Sequence, residues 1–386
     1  MSPLAKLKKA EMATLSNAAH QVTDIYGTFL SPESLKGSAE LQMKVNLGAE
    51  VLQMLNSLVA SEGIDMSMDW LNDLKISSMA NINDSAGQLK LDLGLEDENL
   101  IGVDIIADTK SEKLYVGVPA LTEKYLCIPL NADALNSGSD FLEDDYYSGY
   151  TPAPDFSAIA EILTDPEFRK AMPSEDTLNK LIDKYLELCF DNLTDVTQAK
   201  ETIEVNGIKQ DLTVIKVNVS EAMVMNIGEK VLTEAKNDKN IQAIINNLSA
   251  YLVSKGVMSE GENAYENFIE GINSALEDLA EAKGMADTAT VMTYSCYIDS
   301  KNNVQGRAID ASGERYFYQA TAKNGDNFAT TIEIADKIKL EGSGTENKGV
   351  KNATYSFSIN DYTDFSKVKN TDYPIMEDLY ALAEEE

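Results

Sequence analysis

Apolar residues open the chain at three- and four-residue spacing. Leu15, Ala19, Val22, Ile25, Tyr26 and Phe29 form one stripe within Leu4–Phe29, which predicts a helix with a single greasy side. "SPES" at Ser31 to Ser34 stops it, and the period then changes to two. In "GSAELQMKVNLGAE", Leu41, Met43, Val45 and Leu47 fall on one side, with Gln42, Lys44 and Asn46 on the other. That is the pattern of a half-buried strand. A short helix over about Ala49 to Ala60 follows.

From Leu71 to Leu130 alternating segments recur with short polar turns between them. "LNDLKISSMANI" meets "NDSAG", "QLKLDLGL" meets "EDEN", and "LIGVDIIA" meets "DTKSE". The last two arms, in "KLYVGVPALTEKYLCIPL", alternate through Leu114, Val116 and Val118, then Leu126 and Ile128. Turns this short predict antiparallel hairpins, with one face of the sheet greasy and the other wet. Asp140 to Pro154 reads as a loop. Helical patterns follow around Asp155 to Leu163 and Glu175 to Leu193. "ETIEVNGIKQDLTVIKVNV" predicts a hairpin around Asn206-Gly207, and Ser220 with Glu221 opens a further helical stretch that runs in pieces to about Lys283. The last third alternates again in "TATVMTYSCYID", "NVQGRAID", "ERYFYQATAK", "NFATTIEIA" and "ATYSFSIN", with "EGSGTENKG" as a Gly-rich link between the last two.

An isolated two-stranded hairpin is marginal in water, so the central hairpin must join a neighbouring meander. The expected fold is α+β, a single large curved antiparallel sheet of about 11–12 strands. It forms a half-barrel with helices packed on its concave face. One domain, 1–386, is expected. Its parts are an N-terminal helix (1–30), a first meander (37–130), a helical insert (155–283) carrying the hairpin (201–219), a second meander (289–360) and a tail (361–386).

Charge narrows the partners. The 386 residues carry 32 Lys and Arg against 64 Asp and Glu, a formal net charge of −32, which repels nucleic acid and anionic membrane surfaces. No run of 18 apolar residues exists, and "MSPLAKLKKAEMATL" has no signal-peptide core. Cys127, Cys189 and Cys296 are too few and too dispersed for a disulfide framework or a thiolate zinc site. The one histidine, His20, reads as a helix-face residue. No nucleophile elbow, phosphate loop or HExxH is present, so neither an enzyme nor a cofactor is expected. The acidic cluster Asp140, Glu143, Asp144 and Asp145 lacks calcium-loop spacing, so no metal is expected either. Met43, Met54, Met66, Met68, Met79, Met223 and Met225 supply adaptable apolar surface.

The segment "QLKLDLGLEDENLIGVDIIADTKSEKLYVGVPALTEKYLCIPL" resembles the β-meander of LolA-like lipoprotein-carrier domains and related bacterial cell-surface lipoproteins. "ETIEVNGIKQDLTVIKVNVSEAMVMNIGEKVL" resembles the hairpin and helix of surface proteins from Gram-positive gut bacteria. The resemblance implies a groove that accepts a lipid or another apolar small molecule. It also implies an extracellular, surface-anchored setting, with membrane attachment only through an N-terminal anchor absent from this chain; a cytoplasmic setting is the other reading. Leu91, Leu93, Val103, Ile105, Val116 and Val118 are the expected groove-facing residues. The alternative is a surface scaffold that engages a protein or cell-wall partner through its helices and acidic loops.

Overall fold

Most of the alternating segments pair into one sheet. The computed structural model describes residues 1–27, 36–61, 63–64, 66–83, 86–95, 98–108, 110–111, 113–120, 124–129, 165–259, 261, 263–335, 337–348 and 362–364. In chain order the elements are α1 (Pro3–Gly27), β1 (Gly37–Leu47), α2 (Ala49–Ser61) and a 3-10 turn (Asp69–Asp73), followed by β2 (Leu74–Ile82), β3 (Ala86–Leu95), β4 (Glu98–Asp108), β5 (Lys113–Gly117) and β6 (Tyr125–Pro129). The middle holds α3 (Pro166–Ala171), α4 (Glu175–Phe190), β7 (Val196–Val205), β8 (Ile208–Ser220), α5 (Glu221–Asn237), α6 (Lys239–Ser254) and α7 (Ala264–Lys283). The last third comprises β9 (Thr290–Ile298), β10 (Val304–Ala311), β11 (Glu314–Asn324), β12 (Asn327–Ile334), β13 (Ile338–Lys348) and β14 (Tyr362–Asp364).

The strand order is β14-β6-β5-β4-β3-β2-β1-β13-β12-β11-β10-β9-β8-β7. Thirteen strands are antiparallel and the sheet does not close. Only β14 departs, lying parallel to β6 over three residue pairs. The fold is therefore α+β with one continuous sheet, and the central hairpin joins the second meander through β8 and β9, as its instability alone requires.

Two sequence expectations are corrected. "EGSGTENKG", expected as a link, supplies most of β13, which pairs with β12 on one side and β1 on the other. Its glycines are structural. A Cβ at Gly344 would strike the Glu40 carbonyl, and one at Gly342 would lie 2.9 Å from Leu41 Cδ1. Strands β1 and β13 approach this closely because both positions lack a side chain. The preceding "LND" forms part of the 3-10 turn instead of β2, and Asn72 caps the end of β1 by accepting from Leu47 N (2.6 Å). The expected strand "ATYSFSIN", the helix at Asp155 to Leu163 and the acidic cluster from Asp140 to Asp145 lie outside the described residues.

Small residues explain the curl at the other end. Ala308, Ala320, Ala322 and Ala329 are fully buried on one face of β10, β11 and β12. They leave room for Ile203, Val205, Leu212, Val214 and Tyr297 from β7, β8 and β9, so the sheet coils back on itself there. The hairpin tip has the left-handed backbone that Asn-Gly favours, with φ 44° at Asn206 and 80° at Gly207.

The helices pack on the opposite face. Leu7 and Ala10 of α1 and Phe190 of α4 join Ile215, Val217, Val219, Cys296 and Ile298 in a second buried cluster. Helices α4, α5, α7, α6 and α3 then pack in succession behind α1. Side-chain caps start all five, with Asp165, Ser174, Ser220, Asp238 and Asn263 accepting backbone N–H groups.

Candidate functional site

Period-two alternation sends every second side chain of a strand to the same face, and direct pairing carries that face to the next strand. Val217, Tyr294, Ile309 and Phe317 are opposed in sequence across β8 to β11. Ile334, Ile338 and Leu47 continue the row across β12, β13 and β1. The face covered by α1 at β8 is thus the face that carries the greasy alternates of the first meander.

Five of the six expected site residues meet there. Leu91 opposes Val103, and Leu93 opposes Ile101. Ile105 opposes Val116. Val118 lies beyond the end of β5, in the turn that follows. Met43 and Ile76 extend the same surface onto β1 and β2. Among the described residues of β1 to β6 not one large apolar side chain of this face is buried, and Leu89 and Leu91 are 40% and 41% exposed. The described helices make their main strand contacts at β7, β8 and β10 instead.

At β4 to β6 the reverse side is closed. Ile106, Tyr115 and Cys127 are buried together, with Tyr125 against them. Asp104 is buried beside them and accepts from Gln88 Nε2 (2.7 Å) and Tyr125 Oη (2.8 Å). Tyr125 reaches it by crossing Gly117, where a Cβ would lie 2.7 Å from the ring. Burial, with the Asp104 carboxylate adjoining, pushes the Tyr125 phenol up to about 12. Among the described residues the first meander therefore has a reverse side closed at β4 to β6 and a greasy side whose large apolar residues are not buried.

The edge of the open side is set by how α1 docks. Glu11 accepts from Arg307 Nη2 (2.6 Å), Arg307 Nε (3.3 Å) and Tyr294 Oη (2.6 Å). Burial alone would raise its carboxyl, but the Arg307 and Tyr294 hydrogen bonds and the guanidinium charge outweigh it and hold the group below the usual range. Burial, together with the Glu11 charge, raises both the Tyr294 phenol and the Cys296 thiol. Lys6 donates to Thr213 Oγ1 (2.9 Å) nearby. Sequence inspection missed Glu11 and Arg307, 296 positions apart, since neither carries a local signal.

Other candidates for chemistry resolve simply. His20 is exposed, with Nδ1 3.0 Å from Glu175 Oε2. The three cysteines are thiols outside any disulfide, Cys127 and Cys296 being buried. Among the described residues no group of three or more His, Cys, Asp or Glu is arranged to hold a metal ion. No described helix is long and apolar enough to cross a membrane. No protein-family model, curated protein or solved structure matches the chain.

Proposed function

We propose that the protein is a non-catalytic binding module that holds a long apolar ligand, an acyl chain, against the greasy face of β1 to β5. One observation carries the reading: a broad surface of opposed Leu, Ile and Val pairs none of which is buried among the described residues, while the reverse side of β4 to β6 is closed. Five strands at roughly 4.8 Å spacing span on the order of 20 Å, enough for an extended acyl chain lying across them. Each methylene removed from water contributes about 0.8 kcal/mol, so about fifteen give about 12 kcal/mol, which leaves about micromolar binding after an association cost of about 4 kcal/mol. The extracellular, surface-anchored setting implied by the resemblance belongs to the same proposal.

Native mass spectrometry of the protein as purified, together with displacement of a fluorescent fatty acid, tests this. The expected result is a co-purifying lipid and saturable uptake that Leu91→Asp and Val103→Asp abolish. Leu91 is already exposed, so its substitution leaves folding intact. Absence of lipid and of fatty-acid uptake, or uptake indifferent to both substitutions, would overturn the reading. A second reading, a scaffold for a protein partner, is favoured by α2, which buries no residue and leaves Met54 and Leu58 63% and 60% exposed. Loss of partner capture in Leu58→Asp, with no lipid present, would select it.

A further inference from the structure

The polar face carries a second site where the two meanders meet. Ser343, Gln42, Ser77 and Asp92 are directly opposed in turn, forming a row across β13, β1, β2 and β3. A second row, one pair further along, runs through Thr345, Glu40 and Met79. Polar groups thus recur across the sheet at the strand spacing, about 4.8 Å. The curl brings the β7–β8 turn over these rows, and Asn206 Nδ2 donates to the Gly342 carbonyl (3.0 Å). Turn and rows border an open cleft of about 440 Å³.

The lining selects its ligand class. Among the described residues no Lys or Arg lines the cleft, and Glu40 and Asp92 do, so the charge of the lining disfavours an anion. Asp92 is engaged by Lys90 Nζ at 3.3 Å, so the cleft does not present two free carboxylates to a cation. The remaining polar groups are amides (Gln42, Asn206, Asn327) and hydroxyls (Ser77, Ser78, Ser343, Thr345), which both donate and accept. Met79 and Ile208 add an apolar platform. Two walls are set in advance: Asp92 lies over Gly102, which has no room for a Cβ, and Asn206 is tied to β13.

We propose that this cleft binds a neutral carbohydrate chain laid across β13, β1, β2 and β3, its hydroxyls paired to the two rows and its C–H faces on Met79 and Ile208. The site is independent of the apolar face, which lies on the other side of the sheet.

The test is a titration of the full chain labelled at methionine methyls with cellohexaose, maltohexaose, xylohexaose and chitohexaose. At least one should shift the Met79 methyl saturably, with Kd on the order of 1 mM or tighter. Asp92→Asn with Gln42→Ala should weaken it by about tenfold or more, roughly two lost neutral hydrogen bonds. Asn206→Gly, which keeps the turn, should also weaken it, while Leu91→Asp should change nothing. The proposal is overturned if no probe moves Met79, if the shift persists undiminished in the cleft variants, or if inorganic phosphate competes it away. Should the double variant fail to fold, the unmodified protein and Asn206→Gly decide the matter between them.

Discussion

Replacing Glu11 tests how α1 is held to the sheet. Glu11→Met removes a carboxylate that takes a two-point interaction from Arg307 and a hydrogen bond from Tyr294. The Glu11 side chain is 12% exposed and that of Arg307 30%, so the guanidinium left behind is only partly rehydrated. Breaking a fully buried pair costs about 3–5 kcal/mol; discounting for the water that reaches Arg307 leaves about 3 kcal/mol. Urea unfolding followed by circular dichroism reads this as a lower midpoint at unchanged slope. Arg307→Met should cost a similar amount, while Glu11→Met with Arg307→Met should return to within about 1 kcal/mol of the parent, because no charge is then stranded. The pH dependence has a fixed sign. The Glu11 carboxyl sits below its unfolded value, so its contribution is present above about pH 4.3 and disappears as pH falls through the folded value. Equal stability losses in the two single variants and their strict sum in the double variant, at neutral pH, would show that the pair is uncoupled and refute the reasoning.

Four further outcomes follow from the same geometry. Asp238→Ala removes the α6 cap and the buried acceptor for Lys184 and Tyr185, and should cost about 3 kcal/mol in chemical unfolding, against about 1 kcal/mol for the cap Ser220→Ala. Gly117→Ala drives Tyr125 off Asp104; the expected loss is about 1–3 kcal/mol, and Tyr125→Phe should match it because both leave the buried carboxylate short of a donor. Ala320→Leu overfills the seam inside the curl and should lower stability by about 1–3 kcal/mol in thermal unfolding. His20, raised by its hydrogen bond to Glu175 and by that carboxylate's charge, should titrate above 6.5 by NMR and fall back in Glu175→Gln.

Strands with clean alternation were legible because each residue's face depends only on its own neighbours. "QLKLDLGL" became β3, and the Asn206-Gly207 turn formed with both residues in left-handed backbone. β13 was not legible: Gly342 and Gly344 read as linker residues, yet they are required by Leu41 and the Glu40 carbonyl across the strand pair. β7 begins at Val196, five residues before its apolar pattern, because pairing with β8 stabilises the polar "VTQAK" where burial does not. The greasy alternates at Leu91, Leu93, Val103, Ile105 and Val116 were found from period alone. The carbohydrate cleft and the Glu11–Arg307 pair were hidden, since both are assembled from residues hundreds of positions apart.

The seam between β1 and β13 has a temporal meaning during synthesis. Gly37 pairs with Lys348, so the partner of an early ribbon emerges roughly 300 residues later, about 15–60 s at ordinary elongation rates. Throughout that interval β1 offers a bare hydrogen-bonding margin beside the first meander, open to capture by a neighbouring nascent chain. The alternating charged and amide side chains of β1 on its wet side, Glu40, Gln42, Lys44 and Asn46, keep half of that waiting ribbon hydrated until its late-arriving mate docks.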